Sequence, residues 1–175
     1  SMQTDSQDCG SAVTRIWTGL GSSLNWSDAG NWSSNTVPDC NDHVVFNSTS
    51  SKNCLINVPV EVRNITTTID FKGTIQLDSH RRMAAERVSL SGGAFTFRAN
   101  SGIVNFTSLT IGNDVEFTSG DSTLNIAGAL VLAGDAVFTS RKGNIQCASI
   151  NLGQGTSFTA PSGQLVVSGT FTKHK

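Results

Sequence analysis

Phe95, Phe117, Phe138 and Phe158 each precede a threonine, at spacings of 22, 21 and 20 residues. A second column, Ile103, Leu124, Ile145 and Leu165, keeps spacings of 21, 21 and 20. A third, Leu109, Leu130, Ile150 and Phe171, keeps 21, 20 and 21. Three columns on one period mean that a structural unit is repeated. Each unit holds short alternating stretches, such as Leu124-Asn125-Ile126 and Leu130-Val131-Leu132, divided by Gly, Asn, Asp and Ser. Alternation marks half-buried strands and the small polar residues mark corners.

A unit of this length is too short for a propeller blade, which needs about 40 residues. No stretch carries the helical period, so helical repeats are excluded. What remains is a coil of strands, each pairing in parallel with its counterpart in the next turn. Left-handed coils are built from even hexapeptides, and these units are longer and uneven. The sequence therefore predicts an all-β chain: a single right-handed parallel β-helix of about three short strands per turn. Phe95, Phe117, Phe138 and Phe158 should stack inside, with Thr96, Thr118, Thr139 and Thr159 outside. Upstream, "IDFKGTIQL" and "RVSLSGG" read as earlier strands, with "DSHRRMAAE" as a longer insertion where the period loosens.

A coil has a first turn whose core and strand edge need a cover. All three tryptophans, Trp17, Trp26 and Trp32, lie close together just where the repeat begins. Large amphipathic rings suit that task, because Trp buries much area while its N–H finds a partner at the rim. Residues 1–43 are accordingly assigned to an N-terminal cap and 44–175 to the turns. Asn25 and Asn31, each opening an Asn-Trp-Ser motif, should form Asx-turns that aim the rings inward. At the other end "LVVSGTFTKHK" has no obvious cap, and an end-to-end contact with further chain or a partner subunit is expected there. Ser1-Met2 reads as a tag remnant ahead of a trimmed mature region.

Charged residues make up 14% of the chain, against about 25% in ordinary domains. Ser and Thr, 42 together, fill the gap. With a net charge of -1 there is no electrostatic reason to expect nucleic acid or an anionic membrane. No apolar stretch reaches the roughly 18 residues of a spanning helix. Four cysteines without CxxC or His spacing argue against zinc, and no cofactor is expected. Cys147 shares a column with Ile126 and Val167, so it should be a buried free thiol. Cys40 and Cys54 lie fourteen residues apart before successive strands and are the favoured disulfide, with Cys9–Cys40 and Cys9–Cys54 also open. The sequons at Asn25, Asn31, Asn47, Asn64 and Asn105 are glycosylation candidates in a eukaryotic secretory pathway.

The segment Trp17-Thr18-Gly19, "NWSDAGNWS", Pro38 and Val44-Val45-Phe46 resembles the opening of autotransporter-type passenger β-helices, a family of bacterial surface adhesins. It is also similar to the extracellular amino-terminal region of amnionless, a eukaryotic receptor subunit. Asn31-Trp32-Ser33, Pro38, Cys40 and Phe46 match the latter in order, except that Asp39 separates Pro38 from Cys40. The resemblance implies an extracellular, adhesive or receptor-like solenoid without catalytic machinery, whose partner is an extracellular protein or a glycan.

Polysaccharide-degrading enzymes also use such coils, with clustered acids stacked at the rung period. Asp114 and Asp135 would stack, but they read as corner residues, and Glu61, Glu86 and Glu116 share no spacing. The expectation is a non-catalytic binding module of a larger cell-surface protein, with a carbohydrate-binding or carbohydrate-active coil as the alternative. An ice-binding face is less favoured, because the ladder threonines have no second Thr column beside them. The one basic cluster, His80, Arg81, Arg82 and Arg87, is a binding candidate if it bulges as a loop. Trp26 and Trp32 are the other, as a sugar-stacking platform should they be exposed.

Overall fold

The computed structural model describes residues 9–98, 100, 102–121 and 123–175; Ser1 and Met2 lie outside the described residues. It is a parallel β-solenoid of about six turns and about 21 residues per turn. The right-handed sense expected from the sequence is the one that parallel crossovers take in nearly all sheets.

Two sheets, of ten and six strands, wind along the axis, and their strands pair in parallel throughout. In cross-section the coil has three faces. The first runs from Thr14–Ile16 through His43–Phe46 and Asn64–Thr67 to Phe171–Lys173. The second is the six-stranded sheet from Cys54–Ile56 to Ser157–Thr159. The third begins at Val60–Glu61 and ends at Leu165–Val167. Between them, long strands such as Val104–Ile111, Thr123–Leu132 and Asn144–Leu152 span the third and first faces without leaving the sheet. Their register shifts between Ile126 and Ala129. Such an irregularity bends a strand while keeping its ladder, so two of the three expected strands per turn are one bent strand.

The phenylalanine column is in register from Phe95 to Phe158. Phe117 and Phe138 stack at 5.1 Å and 10° between ring planes. Each buried ring contributes roughly 1.5–3 kcal/mol, and ring pairing adds about 0.5–1.5 kcal/mol. Thr96, Thr118, Thr139 and Thr159 share an outer register column. The Leu109 column is also in register, and Cys147 pairs with Ile126 and Val167 as a buried free thiol. In the second column, however, Leu124 faces Val104 and not Ile103, which is 41% exposed. A corner longer than those below it, between Phe97 and Val104, displaces the strand by one residue.

Upstream the ladder is continuous but its spacing is less even: His43 pairs with Asn64 and Cys54 with Ile75 at 21 residues, Val60 with Met83 and Asn64 with Arg87 at 23, and Ile75 with Phe95 at 20. "DSHRRMAAE" is not a bulging loop: Met83–Leu90 is a core strand of the third and first faces. Its inward Met83, Ala85, Val88 and Leu90 are buried.

The cap is a distorted first turn of the same coil. Thr14–Ile16 pairs in parallel with His43–Phe46, and Asn25 bridges to Leu55 on the second face. Trp17, Trp26 and Trp32 are 0%, 1% and 1% exposed and surround Phe46 at 5.8, 6.4 and 5.8 Å between ring centres. Trp32 Nε1–H donates to the Trp26 carbonyl at 2.8 Å and Trp17 Nε1–H to the Lys52 carbonyl at 3.1 Å. The rings are a lid whose polar edges are satisfied.

The twin motifs do not act alike. Asn31 is 0% exposed and ties three strands of loop together. Its Oδ1 accepts from Gly21 N–H, and its Nδ2 donates to the Ser23 and Asn25 carbonyls at 2.9 and 3.0 Å. The Asx-turn belongs to Asp28, which accepts from Gly30 N–H at 3.0 Å and caps the short 3-10 turn Ala29–Asn31. A carboxylate two residues before an amide does locally what was expected of Asn25 and Asn31.

The disulfide joins Cys9 to Cys40, with Cα atoms 5.3 Å apart. This replaces the favoured Cys40–Cys54 pairing. Cys54 opens an inward-facing strand position above Ile75 and is a buried free thiol. Burial pushes its titration well above the ordinary thiol range.

Candidate functional site

The third face carries a row of adjoining concavities. Its outward column is fixed by register: Glu61, Ala84, Asn105, Asn125, Gln146 and Val166. A cleft of about 360 Å³ follows the bend from Asn105 past Asn125 and Gln146 to Ser168. A second, of about 310 Å³, shares Asn105 and continues past Ala84 and Arg82 to Glu61. A third, of about 290 Å³, shares Pro59, Val60 and Glu61 with it and reaches the disulfide and Pro38. Together they form one groove along the coil.

The bend creates it. Where each long strand turns toward the first face, the corner is made of Ala127, Ala148 and Ser168. Small side chains leave a low floor, and the polar column forms a wall. Asn125 Nδ2 donates to Asn105 Oδ1 at 2.9 Å, which leaves the Asn105 amide hydrogens and Asn125 Oδ1 for another partner. Gln146, next in the column, is exposed. Cys147 lines the floor, and burial pushes its thiol up, so it stays protonated near neutral pH. The stretch from Asn105 to Ser168 contains no charged side chain.

The basic cluster is dispersed. His80 takes a left-handed backbone (φ 62°) at the corner between the second and third faces, where its N–H donates to the Asn100 carbonyl. Arg81 is half-buried beside it, with a buried Nε lacking a partner. Arg82 and Glu61 both line the groove. Arg87 lies on the first face, paired in register with Asn64 and Ser108. His80 and Arg81 lie at the corner, Arg82 in the groove and Arg87 on the first face, so the four basic side chains do not share one surface. Of the expected basic cluster, His80, Arg81 and Arg82 lie on the corner before Met83–Leu90, Arg87 lies within that strand, and Arg82 lines the groove.

Trp26 and Trp32, buried in the lid, have no open face on which a sugar ring could stack. Among the sequons, Asn31 is enclosed with both amide hydrogens donating, so a glycan there is incompatible with the cap. Asn25, Asn47 and Asn64 are half-buried, and Asn105 is exposed in the groove. Asp114 and Asp135 meet at the corner between the first and second faces, both with positive φ, and Asp114 N–H donates to the Gly134 carbonyl. Their backbone role accounts for their spacing. Among the described residues no three His, Cys, Asp or Glu side chains converge as metal ligands would.

The ladder Asn105, Asn125 and Gln146 was not singled out from sequence as a site. Its signal was there, since the spacings of 20 and 21 match the core columns and each residue sits beside an inward position. No family model, curated protein or solved structure matches the chain.

Proposed function

We propose that the chain is a non-catalytic extracellular binding or adhesion module of a larger cell-surface protein, and that it holds an extended ligand along the third face. The observation that carries this reading is the groove itself, three clefts sharing residues along a rigid wall of paired strands. An elongated groove suits a linear partner, and a coil fixes its geometry without induced fit. The disulfide is compatible with an oxidising, extracellular setting, and the hydroxyl-rich, weakly charged surface suits contact with glycans or neutral protein segments. The resemblance of residues 17–46 to surface adhesins points the same way.

The test is a screen of the purified protein on a glycan array and against a library of extracellular proteins, repeated with Ala84→Arg and Ala148→Arg, which fill the groove. Ligands of the wild type should be lost by both variants. Unchanged capture by both would overturn the groove as the site. Reproducible release of reducing ends from pectin, alginate or glucan would overturn the non-catalytic reading.

A further inference from the structure

We infer that the groove's ligand is a neutral polysaccharide laid parallel to the coil axis, about one sugar ring per rung, and recognised by Asn105, Asn125 and Gln146. This rests on the groove reading above and names its ligand class.

Charge comes first. From Asn105 to Ser168 the lining has no ionisable group except a buried thiol held in its neutral form. A polyanion would find no cation there, and nucleic-acid binding depends on such contacts. Hydrogen-bonding capacity comes second. Amides donate and accept at once, as sugar hydroxyls do, and the Asn125–Asn105 bond orients two of the three amides. The remaining donors of Asn105, the acceptor of Asn125 and the Gln146 amide are then offered in one row.

Periodicity separates a glycan from a peptide. Rungs recur at about 4.7–4.9 Å, whereas an extended peptide repeats every 3.2–3.4 Å, roughly 6.6 Å for like-facing groups. A peptide's like-facing groups are out of step at the next rung; an extended pyranose chain advances about one rung per ring, so where alternate rings flip its like-facing hydroxyls return at every second rung. Strand addition cannot substitute, because it requires an unpaired edge. The third-face strands beneath the groove have neighbours on both sides from Met83 to Cys147. No exposed aromatic ring lines this stretch, so binding depends on repeated hydrogen bonds and must grow with chain length.

The experiment uses the whole protein from a bacterial host, which leaves the Asn105 sequon unmodified. Neutral cello-, xylo-, manno- and chito-oligosaccharides, from dimer to octamer, are titrated while the side-chain amide signals are followed by NMR. One series should bind with affinity rising with length and then levelling, shifting the Asn105, Asn125 and Gln146 amides. Asn125→Ala and Gln146→Ala should each weaken it about tenfold, and Thr139→Ala on the second face should not. If no neutral series shifts these amides, or if affinity ignores length, the inference is overturned. A parallel titration with extended peptides and with polygalacturonate keeps the groove reading separate. Shifts of the same amides by those probes alone leave the groove and remove the neutral glycan. Ligands that bind while leaving the groove amides unmoved remove both.

Discussion

At one end of the coil three tryptophans are sealed to 0–1% exposure; at the other, Phe171 is 48% exposed, and Phe158, Leu165 and Val167 are only partly buried. Phe171 continues the column of Leu109, Leu130 and Ile150, which are fully buried one turn or more inward. The sequence pattern of the last turn is that of an interior turn, and its strands are laddered on one side only. In a solenoid, burial is therefore conferred by the next turn. The lid exists because the first turn had to be covered by something that is not another turn. The lid closes its end with side chains over the core, although Thr14–Ile16 is laddered on one side only, as Ser157–Thr159, Leu165–Val167 and Phe171–Lys173 are at the other end.

The sharpest way to break this comparison is to place one charge at two phenylalanines of different depth, Phe138 in the second-face column and Phe171 at the end of the first-face column. Phe138→Asp puts a carboxylate between Phe117 and Phe158, whose ring centres lie 5.1 and 5.3 Å away. An unpaired buried charge costs several kcal/mol or more, so cooperative thermal unfolding by circular dichroism should disappear. Phe171→Asp should change stability by about 0.5 kcal/mol or less, as exposed substitutions do. If both variants melt like the wild type, the stacked column is not holding the coil.

Next in size is the lid. Trp32 sits 4.7 Å from Trp26 and 5.1 Å from Trp17 in edge-to-face pairs. Trp32→Ala should cost about 3–5 kcal/mol in urea unfolding. In the wild type, acrylamide should quench the tryptophans poorly. Free quenching, or a melting temperature unmoved by Trp32→Ala, would mean that the first turn needs no cover.

Reduction of Cys9–Cys40 should be felt somewhat less. The two residues are 31 apart in sequence, and closing a loop of that size contributes up to about 3.7 kcal/mol. The bond is helped locally by Asp42, whose buried carboxylate accepts from Val13 and Asp39 N–H and from Arg15 Nε. Hydrogen exchange after reduction should quicken around residues 10–16 and leave 116–159 unchanged. Uniform quickening would show that lid and coil are a single cooperative unit.

The repeat made the coil legible because inward positions recur and outward ones are free. The same averaging misled at two points. Counting a common period placed Ile103 inside, although the longer corner after Phe97 lets Ile103 face solvent and brings Val104 onto the ladder. Looking for nearby cysteines favoured Cys40–Cys54, although Cys54 lies 21 residues before Ile75 and thus belongs to the Phe95 column. That column would have predicted a buried thiol. The groove was harder to see, since it arises from a bend inside a strand, and bends leave only Ala, Gly and Ser behind. Its polar wall was visible as spacing, yet nothing in Asn105 alone distinguishes a ladder from a sequon.

The smallest expected effect probes a titratable clamp within the lid, Asp28. Asp28 accepts from Ser23 Oγ–H at 2.9 Å, Gly30 N–H at 3.0 Å and Ser23 N–H at 3.2 Å. The Ser23 hydroxyl, then the Gly30 amide, holds its carboxyl below the ordinary value of 3.8. Donors favour the charged form, so the unfolded chain binds this proton more readily than the folded one. Its stabilisation is therefore complete above the ordinary carboxylate range and is lost as pH falls through the lowered folded value. Between about pH 5 and pH 2 acrylamide quenching of the tryptophans should rise in the wild type as the clamp is protonated. Asp28→Asn cannot titrate, so its quenching should follow a flatter curve, and the difference between the two isolates Asp28 from the other carboxylates. Coincident curves would mean that the lid is held by its rings and by Asn31 alone.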